Sequence, residues 1–172
     1  SEGFEDDLTW GDARWPLTQQ SVLSQDVVWT TNHPATNPIT TGTGPALTGD
    51  YGVYDPDHGS ATGTPTECDV DTPPEQCLFR DGLTGTRQAG AGVLYGAGGH
   101  FKGSSDAINL VAILDGGAPI GLGTVLLGGH QFLGVIDTAG FTSFRFEETD
   151  GKVGQERYVF ADDFTLATTP AD

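Results

Sequence analysis

A series of short apolar segments fills the second half of the chain, and few folds can accommodate it. From Ala91 onward Gly, Asp or Pro separates most of these segments, and within them apolar residues alternate with polar or small ones. Alternation with a period of two is typical of β-strands with one buried face, and Gly and Asp are typical of tight turns. Six strands are therefore predicted, at 92–101, 107–114, 120–127, 131–136, 141–147 and 157–166.

The first half of the chain carries weaker strand signals. Four short strands are expected there, at 3–10, 27–31, 51–54 and 77–80. In the first of them Phe4, Leu8 and Trp10 share one side. The polar stretch 32–49 is predicted to be a loop with room for one irregular strand. About nine or ten short strands joined by Gly-rich turns predict an all-β fold, a two-sheet antiparallel β-sandwich of the jelly-roll type.

Length and composition bound the organisation of the chain. Its 172 residues suit one domain, so we predict a single sandwich module over 1–172, in which 167–172 is a tail or a linker. No apolar run is long enough to span a bilayer, so no membrane insertion is expected. The chain contains no Met, which indicates a processed protein or an excised segment. We expect a monomeric module of a larger protein.

The charge of the chain argues against several partners. It has 24 acidic and 7 basic residues, and its formal net charge is −17. Nucleic-acid binding relies on Lys and Arg to displace phosphate counterions, so no nucleic-acid partner is expected. Anionic membranes and strongly anionic polysaccharides are disfavoured for the same reason. A dense acidic surface suits divalent cations, although solubility alone explains many of these residues.

Cys68 and Cys77 flank a polar loop that contains Pro73-Pro74. Their spacing is not Cys-x-x-Cys, and a zinc site would need His partners that are not nearby. A disulfide between Cys68 and Cys77 is therefore predicted. It implies an oxidising compartment, and so a secreted or cell-surface location.

Two acidic clusters, Glu5-Asp6-Asp7 and Asp162-Asp163, lie near the two ends of the chain. In the last predicted strand Asp162 has the parity of Phe160 and Phe164, which predicts that its carboxylate faces the core. A lone buried charge is unfavourable and basic residues are few, so a bound cation is expected as its partner. Calcium is the best candidate, because it binds carboxylate and backbone carbonyl oxygens.

The end segments Gly3-Phe4-Glu5 and Asp162-Asp163-Phe164-Thr165-Leu166 resemble those of jelly-roll carbohydrate-binding modules of the family 4 and family 22 type. The stretch 131–166 also resembles domains of exported bacterial surface proteins. The resemblance to the modules implies a structural calcium held by the Gly3 carbonyl, Glu5 and Asp162. It further implies that the Asp50 carbonyl completes the site.

Strand alternation and the resemblance disagree over one calcium ligand. Alternation places Asp6 rather than Glu5 on the side of Phe4, whereas the resemblance implies Glu5, and a β-bulge at a sheet edge would reconcile the two. We rank Glu5 first and keep Asp6 and Asp163 as alternate ligands. A solvated acidic edge that opposes aggregation is the simpler interpretation of both clusters.

Aromatic side chains are the candidates for ligand binding, since sugar recognition uses flat apolar rings and a few polar groups. Trp10 has core parity and is expected to be buried. Trp15 lies in a polar stretch, Trp29 lies in a strand, and Tyr54 lies beside a turn-rich segment. Trp15, Trp29 and Tyr54 are the predicted ligand-binding residues, although core packing is the commoner role of any single one.

We found no recognisable catalytic motif in the sequence. The histidines lack zinc-site spacing, and the Gly-rich stretch 90–103 lacks the phosphate-binding patterns. We therefore predict a non-catalytic carbohydrate-binding module of a secreted bacterial protein, with a polysaccharide or another glycan as its partner. The alternatives are a surface, adhesion or spacer domain without sugar binding, and a small polysaccharide-active enzyme. A row of exposed aromatic residues favours the carbohydrate-binding module. Buried tryptophans without a groove favour the surface, adhesion or spacer domain, and a cleft with two facing carboxylates favours the enzyme.

Overall fold

The computed structural model describes residues 1–56, 78–103, 106–152, 155 and 157–170. Cys68, Cys77 and the disulfide predicted between them lie outside the described residues. In chain order the elements are α1 (Asp7–Trp10), the 3-10 turn Gly11–Ala13, β1 (Val22–Ser24), β2 (Val27–Thr31), β3 (Thr40–Gly42), β4 (Gly52–Tyr54), β5 (Gly82–Arg87), β6 (Leu94–Gly103), β7 (Ile108–Leu114), β8 (Ile120–Val125), β9 (Gln131–Phe141), β10 (Ser143–Glu148) and β11 (Val159–Ala167). Within the described ranges, no helix is both long enough and apolar enough to span a membrane.

The strands form two antiparallel sheets. The six-stranded sheet has the order β1-β2-β5-β10-β7-β8, and the five-stranded sheet has the order β3-β4-β11-β6-β9. This arrangement confirms the predicted two-sheet sandwich, and the described residues contain eleven strands where about nine or ten were expected. The six strands predicted after Ala91 are all present, as β6 to β11.

Aromatic side chains from both sheets fill the space between them. Trp29 and Phe144 come from the six-stranded sheet, Phe101 and Phe164 come from the five-stranded sheet, and all four are buried. The rings meet mainly edge to face, with the centroids of Trp29 and Phe164 5.0 Å apart. Burying one such side chain contributes roughly 1.5–3 kcal/mol, so a few large rings can hold together a Gly-rich chain.

The N-terminal segment forms a short helix and not the predicted strand. The Asp6 carboxylate accepts hydrogen bonds from the Leu8 N–H at 3.0 Å and the Thr9 hydroxyl at 2.8 Å, and so caps α1. Leu8 is 99% exposed, whereas Phe4 and Trp10 are buried in the core. Apolar residues at these spacings fit either element, and the capping residue decides in favour of the helix.

The strand expected at 77–80 was also misplaced. Leu78, Phe79 and Arg80 are not in a strand, and β5 begins at Gly82 instead. Arg80 has a φ of 55° and Gly82 a φ of 145°, so the backbone turns sharply just before the strand. A Cβ on Gly82 would overlap the Phe146 carbonyl oxygen, so only glycine fits at this entry.

Candidate functional site

The last strand, β11, switches its inward side at a β-bulge. Its register with β6 shifts between Asp162 and Thr165, and Asp163 has a φ of 49°. Ala161 faces the core before the bulge and Phe164 faces it afterwards. The parity argument that placed Asp162 toward the core was therefore wrong, because simple alternation does not continue through the bulge.

Asp162 lies on the outer face of the five-stranded sheet, where a loop buries it. Its Oδ2 accepts hydrogen bonds from the N–H groups of Leu47 at 2.7 Å and Thr48 at 3.1 Å. Its Oδ1 accepts one from the N–H of Asp163 at 2.7 Å. Burial raises the pKa of Asp162, these three hydrogen bonds oppose the rise, and the charge of Asp163 adds to it.

Glu5 contacts the same loop from the other side. Its Oε1 accepts hydrogen bonds from the N–H groups of Asp50 at 3.0 Å and Tyr51 at 2.8 Å. Gly49, which immediately precedes these two residues, has a φ of 63°, and a Cβ at that position would clash with the Glu5 carboxylate. Loop 47–51 is therefore held by carboxylates from both ends of the chain.

The structure places the other predicted calcium ligands in different surroundings. A Cβ on Gly3 would lie 3.4 Å from Asp163 Oδ1, and the Asp163 carboxylate accepts a hydrogen bond from the Thr48 hydroxyl at 2.9 Å. These two residues therefore belong to the region of loop 47–51. Asp6 caps α1, and hydrogen bonds from the Thr9 side chain and the Leu8 backbone lower its pKa.

The donor set around loop 47–51 is of the type that calcium takes. Carboxylates of Glu5 and Asp162 lie with the backbone of Gly3 and Asp50 in one region, and each carboxylate oxygen can accept more than one contact. No three His, Cys, Asp or Glu side chains among the described residues already form a metal-binding group. A cation here would therefore need backbone carbonyls and water to complete its shell.

Arg14 is a residue of this region that the sequence did not single out. Its guanidinium donates to the Phe4 carbonyl at 2.6 Å and to Asp7 at 2.9 Å, and it lies 3.6 Å from the centroid of the Tyr51 ring. It therefore ties the N-terminal segment to loop 47–51. A single Arg next to a Trp gives no signal of such a role in the sequence.

An aromatic cluster (Trp15, Tyr54, Phe160) lies on the outer face of the five-stranded sheet. The ring centroids of Trp15 and Tyr54 are 6.3 Å apart, and those of Tyr54 and Phe160 are 5.2 Å apart. Trp15 is 58% exposed. Two of the three predicted ligand-binding residues thus lie side by side on a surface that solvent reaches.

Trp29, the third predicted ligand-binding residue, has no exposed surface. It is fully buried between the sheets, where its ring packs against Phe4, Phe144 and Phe164. Its predicted contact with a ligand is therefore wrong. Alternation along β2 is compatible with Trp29 on either side of the strand, and in the structure its ring packs into the aromatic core.

A groove with a glycine floor lies on the same outer face, across β11, β6 and β9. Its volume is about 460 Å³, and it is lined by Gly96, Ala97, Gly98, Phe132, Leu133, Gly134, Val135, Ile136, Thr165 and Ala167. Phe132 is 50% exposed and its ring lies over Gly98. The sequence analysis missed this groove, because its residues come from three strands whose register the sequence does not state.

Loop 44–48 crosses the sheet between the aromatic cluster and the groove. Lys102 Nζ donates to the Gly44 carbonyl at 3.1 Å, and His130 Nε2 lies 2.9 Å from the Pro45 carbonyl oxygen. With the bonds from Leu47 and Thr48 to Asp162, these contacts fix the loop to β6, to β11 and to the residue that precedes β9. Loop 44–48 therefore separates the aromatic cluster from the groove on the outer face.

The comparisons with known proteins place the chain beside two solved structures. No protein-family model matches it, and no curated protein matches it. It is similar to TmCBM61 in complex with β-1,4-galactotriose, with a TM-score of 0.46 and 15% identity over 96% of this chain and 98% of that chain. It is also similar to the CBM22-1–GH10 modules of the Clostridium thermocellum endo-1,4-β-D-xylanase 10B complexed with xylohexaose, with a TM-score of 0.48 and 11% identity over 84% of this chain and 27% of that chain.

Proposed function

We propose that the chain binds a neutral polysaccharide on the outer face of the five-stranded sheet, and that it does so without catalysis. The observation that carries this proposal is the exposure of two large aromatic rings on that face. Trp15 is 58% and Phe132 is 50% exposed, although rings of this size usually contribute to a core. An exposed ring beside a groove is typical of a binding surface.

The chemistry of the groove favours a ligand with apolar faces and no charge. No ionisable side chain lines it, and Thr165 contributes the only side-chain hydroxyl among its lining residues. A pyranose ring presents C–H groups on its faces and hydroxyls at its rim, so it can stack on Phe132 while its rim stays in water. The net charge of −17 disfavours an anionic polysaccharide.

The Phe132 ring is held in place before any ligand arrives. The imidazole of His100 packs against it with centroids 5.2 Å apart, and the glycine floor lets the ring lie close to the backbone of β6. A side chain that is already ordered loses less entropy on binding, which favours affinity.

The proposal includes a structural calcium at loop 47–51. Glu5, Asp162 and the carbonyls of Gly3 and Asp50 would hold it, with Asp163 and Asp6 as the alternates. Calcium would neutralise carboxylates that now depend on backbone N–H groups alone. Loop 47–51 overlaps loop 44–48 on the proposed binding face, so the ion would rigidify that face. Export to the medium or the cell surface belongs to the same proposal, supported by the Cys pair in the sequence.

Affinity gel electrophoresis with neutral soluble polysaccharides tests the binding proposal. We expect retardation of the native chain by at least one of β-galactan, xylan or mixed-linkage glucan. Trp15→Ala or Phe132→Ala should weaken binding about tenfold, which corresponds to ~1.4 kcal/mol. Leu8→Ala removes an apolar side chain that is even more exposed but belongs to neither the aromatic cluster nor the groove, and it is the control.

Two results would contradict the proposal. One is the absence of retardation by every polysaccharide, which favours an adhesion or spacer domain. The other is equal retardation of the native chain and both aromatic variants, which would place the binding surface elsewhere. Release of shortened oligosaccharides during the assay would contradict the non-catalytic part alone.

A further inference from the structure

The two described sheets have four edge strands, and three of these are protected against pairing with another chain. β1 and β3 have only three residues each. β8 has six residues, follows Pro119, and its register with β7 shifts between Leu110 and Val111. Short strands, proline and bulges are the usual features that keep a sheet edge from pairing. β9 is the exception, since it has eleven residues and contains neither Lys nor Pro.

One side of β9 is unpaired within the part of the chain that the structure describes. On its other side β9 pairs regularly with β6 from Gln131 to Ile136, beyond which the register shifts. The five-stranded sheet ends at β9, and no further described strand bonds to it. The backbone N–H and C=O groups on the free side can therefore pair with a strand from another molecule.

The segment that contains this edge is apolar and uncharged. Residues 116–136 include no Asp, Glu, Lys or Arg. Half of the exposed large hydrophobic side chains among the described residues lie in this segment, namely Ile120, Leu126, Leu127, Phe132 and Ile136. A concentration of exposed apolar side chains is typical of an interaction surface.

The charge of the chain favours a second copy as the partner. The formal net charge is −17, so two copies repel each other wherever their acidic surfaces meet. A cationic partner would bind those acidic surfaces, whereas the uncharged edge suits a partner edge that is equally uncharged. Antiparallel pairing of β9 with its own copy provides one, and it forms a closed two-fold interface that uses both free edges.

We propose that two copies of the chain dimerise by antiparallel pairing of β9 with β9, in contrast to the monomer expected from the sequence. In a register centred on Gly134, side chains on the same face meet, so Ile136 lies opposite the partner's Phe132. The same register places Asp137 opposite the partner's Gln131. A register centred on Asp137 would place two like charges opposite each other, which is destabilising.

Such a dimer has a consequence for ligand binding. The groove lies on the outer face and includes β9 residues from Phe132 to Ile136, so edge pairing places two grooves next to each other on one continuous sheet. Two adjacent sites bind a long polysaccharide with greater avidity than one site does. This consequence rests on the proposed function, whereas the dimer itself does not.

Sedimentation velocity at a series of protein concentrations tests the proposal without any glycan. We expect the 18.0 kDa monomer at low concentration and a species of twice that mass at high concentration. A Kd on the order of 10 μM is expected, because a single strand pair buries less area than a standard interface. Added salt should strengthen the dimer, since it screens the repulsion between two acidic chains.

Substitutions at Gln131 test the register. Gln131→Asp should weaken the dimer roughly fivefold, because the new carboxylate lies opposite the partner's Asp137. Gln131→Lys should strengthen it roughly threefold, because the facing charges are then opposite in sign. Leu23→Asp and Leu23→Lys are the matched controls, since they make the same changes in net charge at an exposed position on the protected edge strand β1. Both should leave the Kd within about twofold of the native value.

A native chain that stays monomeric at every concentration and salt concentration would overturn the proposal and leave the β9 edge to a different partner. A dimer whose Kd responds to the Gln131 substitutions no more than to those at Leu23 would also overturn it, because net charge alone would then explain the changes. Circular dichroism first shows whether each variant is folded. If Gln131→Asp is not, Ile136→Asp takes its place, since that side chain is 70% exposed and should likewise weaken the dimer.

Discussion

Asp162 beside loop 47–51 and Asp55 between the sheets are both fully buried, but different groups satisfy their carboxylate oxygens. Asp162 accepts three backbone hydrogen bonds and Glu5 accepts two, so the loop itself is their partner. Asp55 has one such bond and an orphaned oxygen, with two more carboxylates nearby. The difference shows that burial alone does not indicate a cation.

Removing the Asp162 carboxylate should have the largest effect. Asp162→Ala leaves the N–H groups of Leu47, Thr48 and Asp163 without an acceptor, and each unsatisfied group costs about 1–3 kcal/mol. We expect a loss of about 3 kcal/mol in the free energy of unfolding, measured by urea denaturation in chelator. Asp163→Asn is the control, since its carboxylate bonds only a hydroxyl. An equal loss in both variants would contradict the view that the loop depends on Asp162.

Neutralising Asp55 should have a smaller effect of opposite sign. In chelator, Asp55→Asn removes one of three buried like charges, so we expect the free energy of unfolding to rise by roughly 1–2 kcal/mol. Asp162→Asn should destabilise the chain under the same conditions. A destabilised Asp55→Asn would contradict the view that the charges of Asp81 and Glu148 oppose that of Asp55.

Neutralising Asp115 should change the free energy of unfolding least, and its carboxylate is a third case to compare with Asp162 and Asp55. Burial is the largest single influence and raises its pKa, but hydrogen bonds from the backbone and hydroxyls of Ser143 and Thr142 together outweigh it and lower the pKa below 3.8. A lowered pKa in the folded state means that the stabilisation is present above pH 3.8 and is lost as the pH falls through the lower folded-state value. Asp115 is exposed, so we expect Asp115→Asn to cost less than about 1 kcal/mol at neutral pH.

Urea denaturation of the native chain and Asp115→Asn between pH 2 and pH 7 measures that difference. Asn is the matched replacement because Asp115 has a φ of 47°, a conformation that Asn tolerates. The two stabilities should converge at the acid end of the range. A difference that grows as the pH falls would mean that the hydrogen bonds favour the protonated carboxyl, contrary to the geometry.

The sandwich could be predicted from the sequence because alternation and turn residues act locally. The turn residues Asp115-Gly116-Gly117 follow β7, with φ of 47° and 70° at the first two and a hydrogen bond from the Gly117 N–H to the Leu114 carbonyl. The same reasoning failed at the N-terminus, where the helix cap at Asp6, and not the spacing of the apolar residues, determines that the segment is a helix. It failed again at β11, where one extra residue reverses the parity.

The candidate sites were only partly accessible from the sequence. The ends of the chain pointed to Glu5 and Asp162 as neighbours, and both do contact loop 47–51. The groove around Phe132 depends on which strands lie side by side. That information resides in long-range pairing, such as that of Gly98 with Gly134 across β6 and β9. A single sequence does not report such pairs.

Loop 44–48 has a consequence for the length of ligand that the molecule can hold. Because Lys102 in β6, Asp162 in β11 and His130 just before β9 hold it in place, it separates the aromatic cluster from the groove. A linear glycan resting in the groove would end at this loop, whereas a branched or bent one could rise over it and reach Trp15. Degree of polymerisation and branching, more than the identity of the sugar, would then set the selectivity of this face.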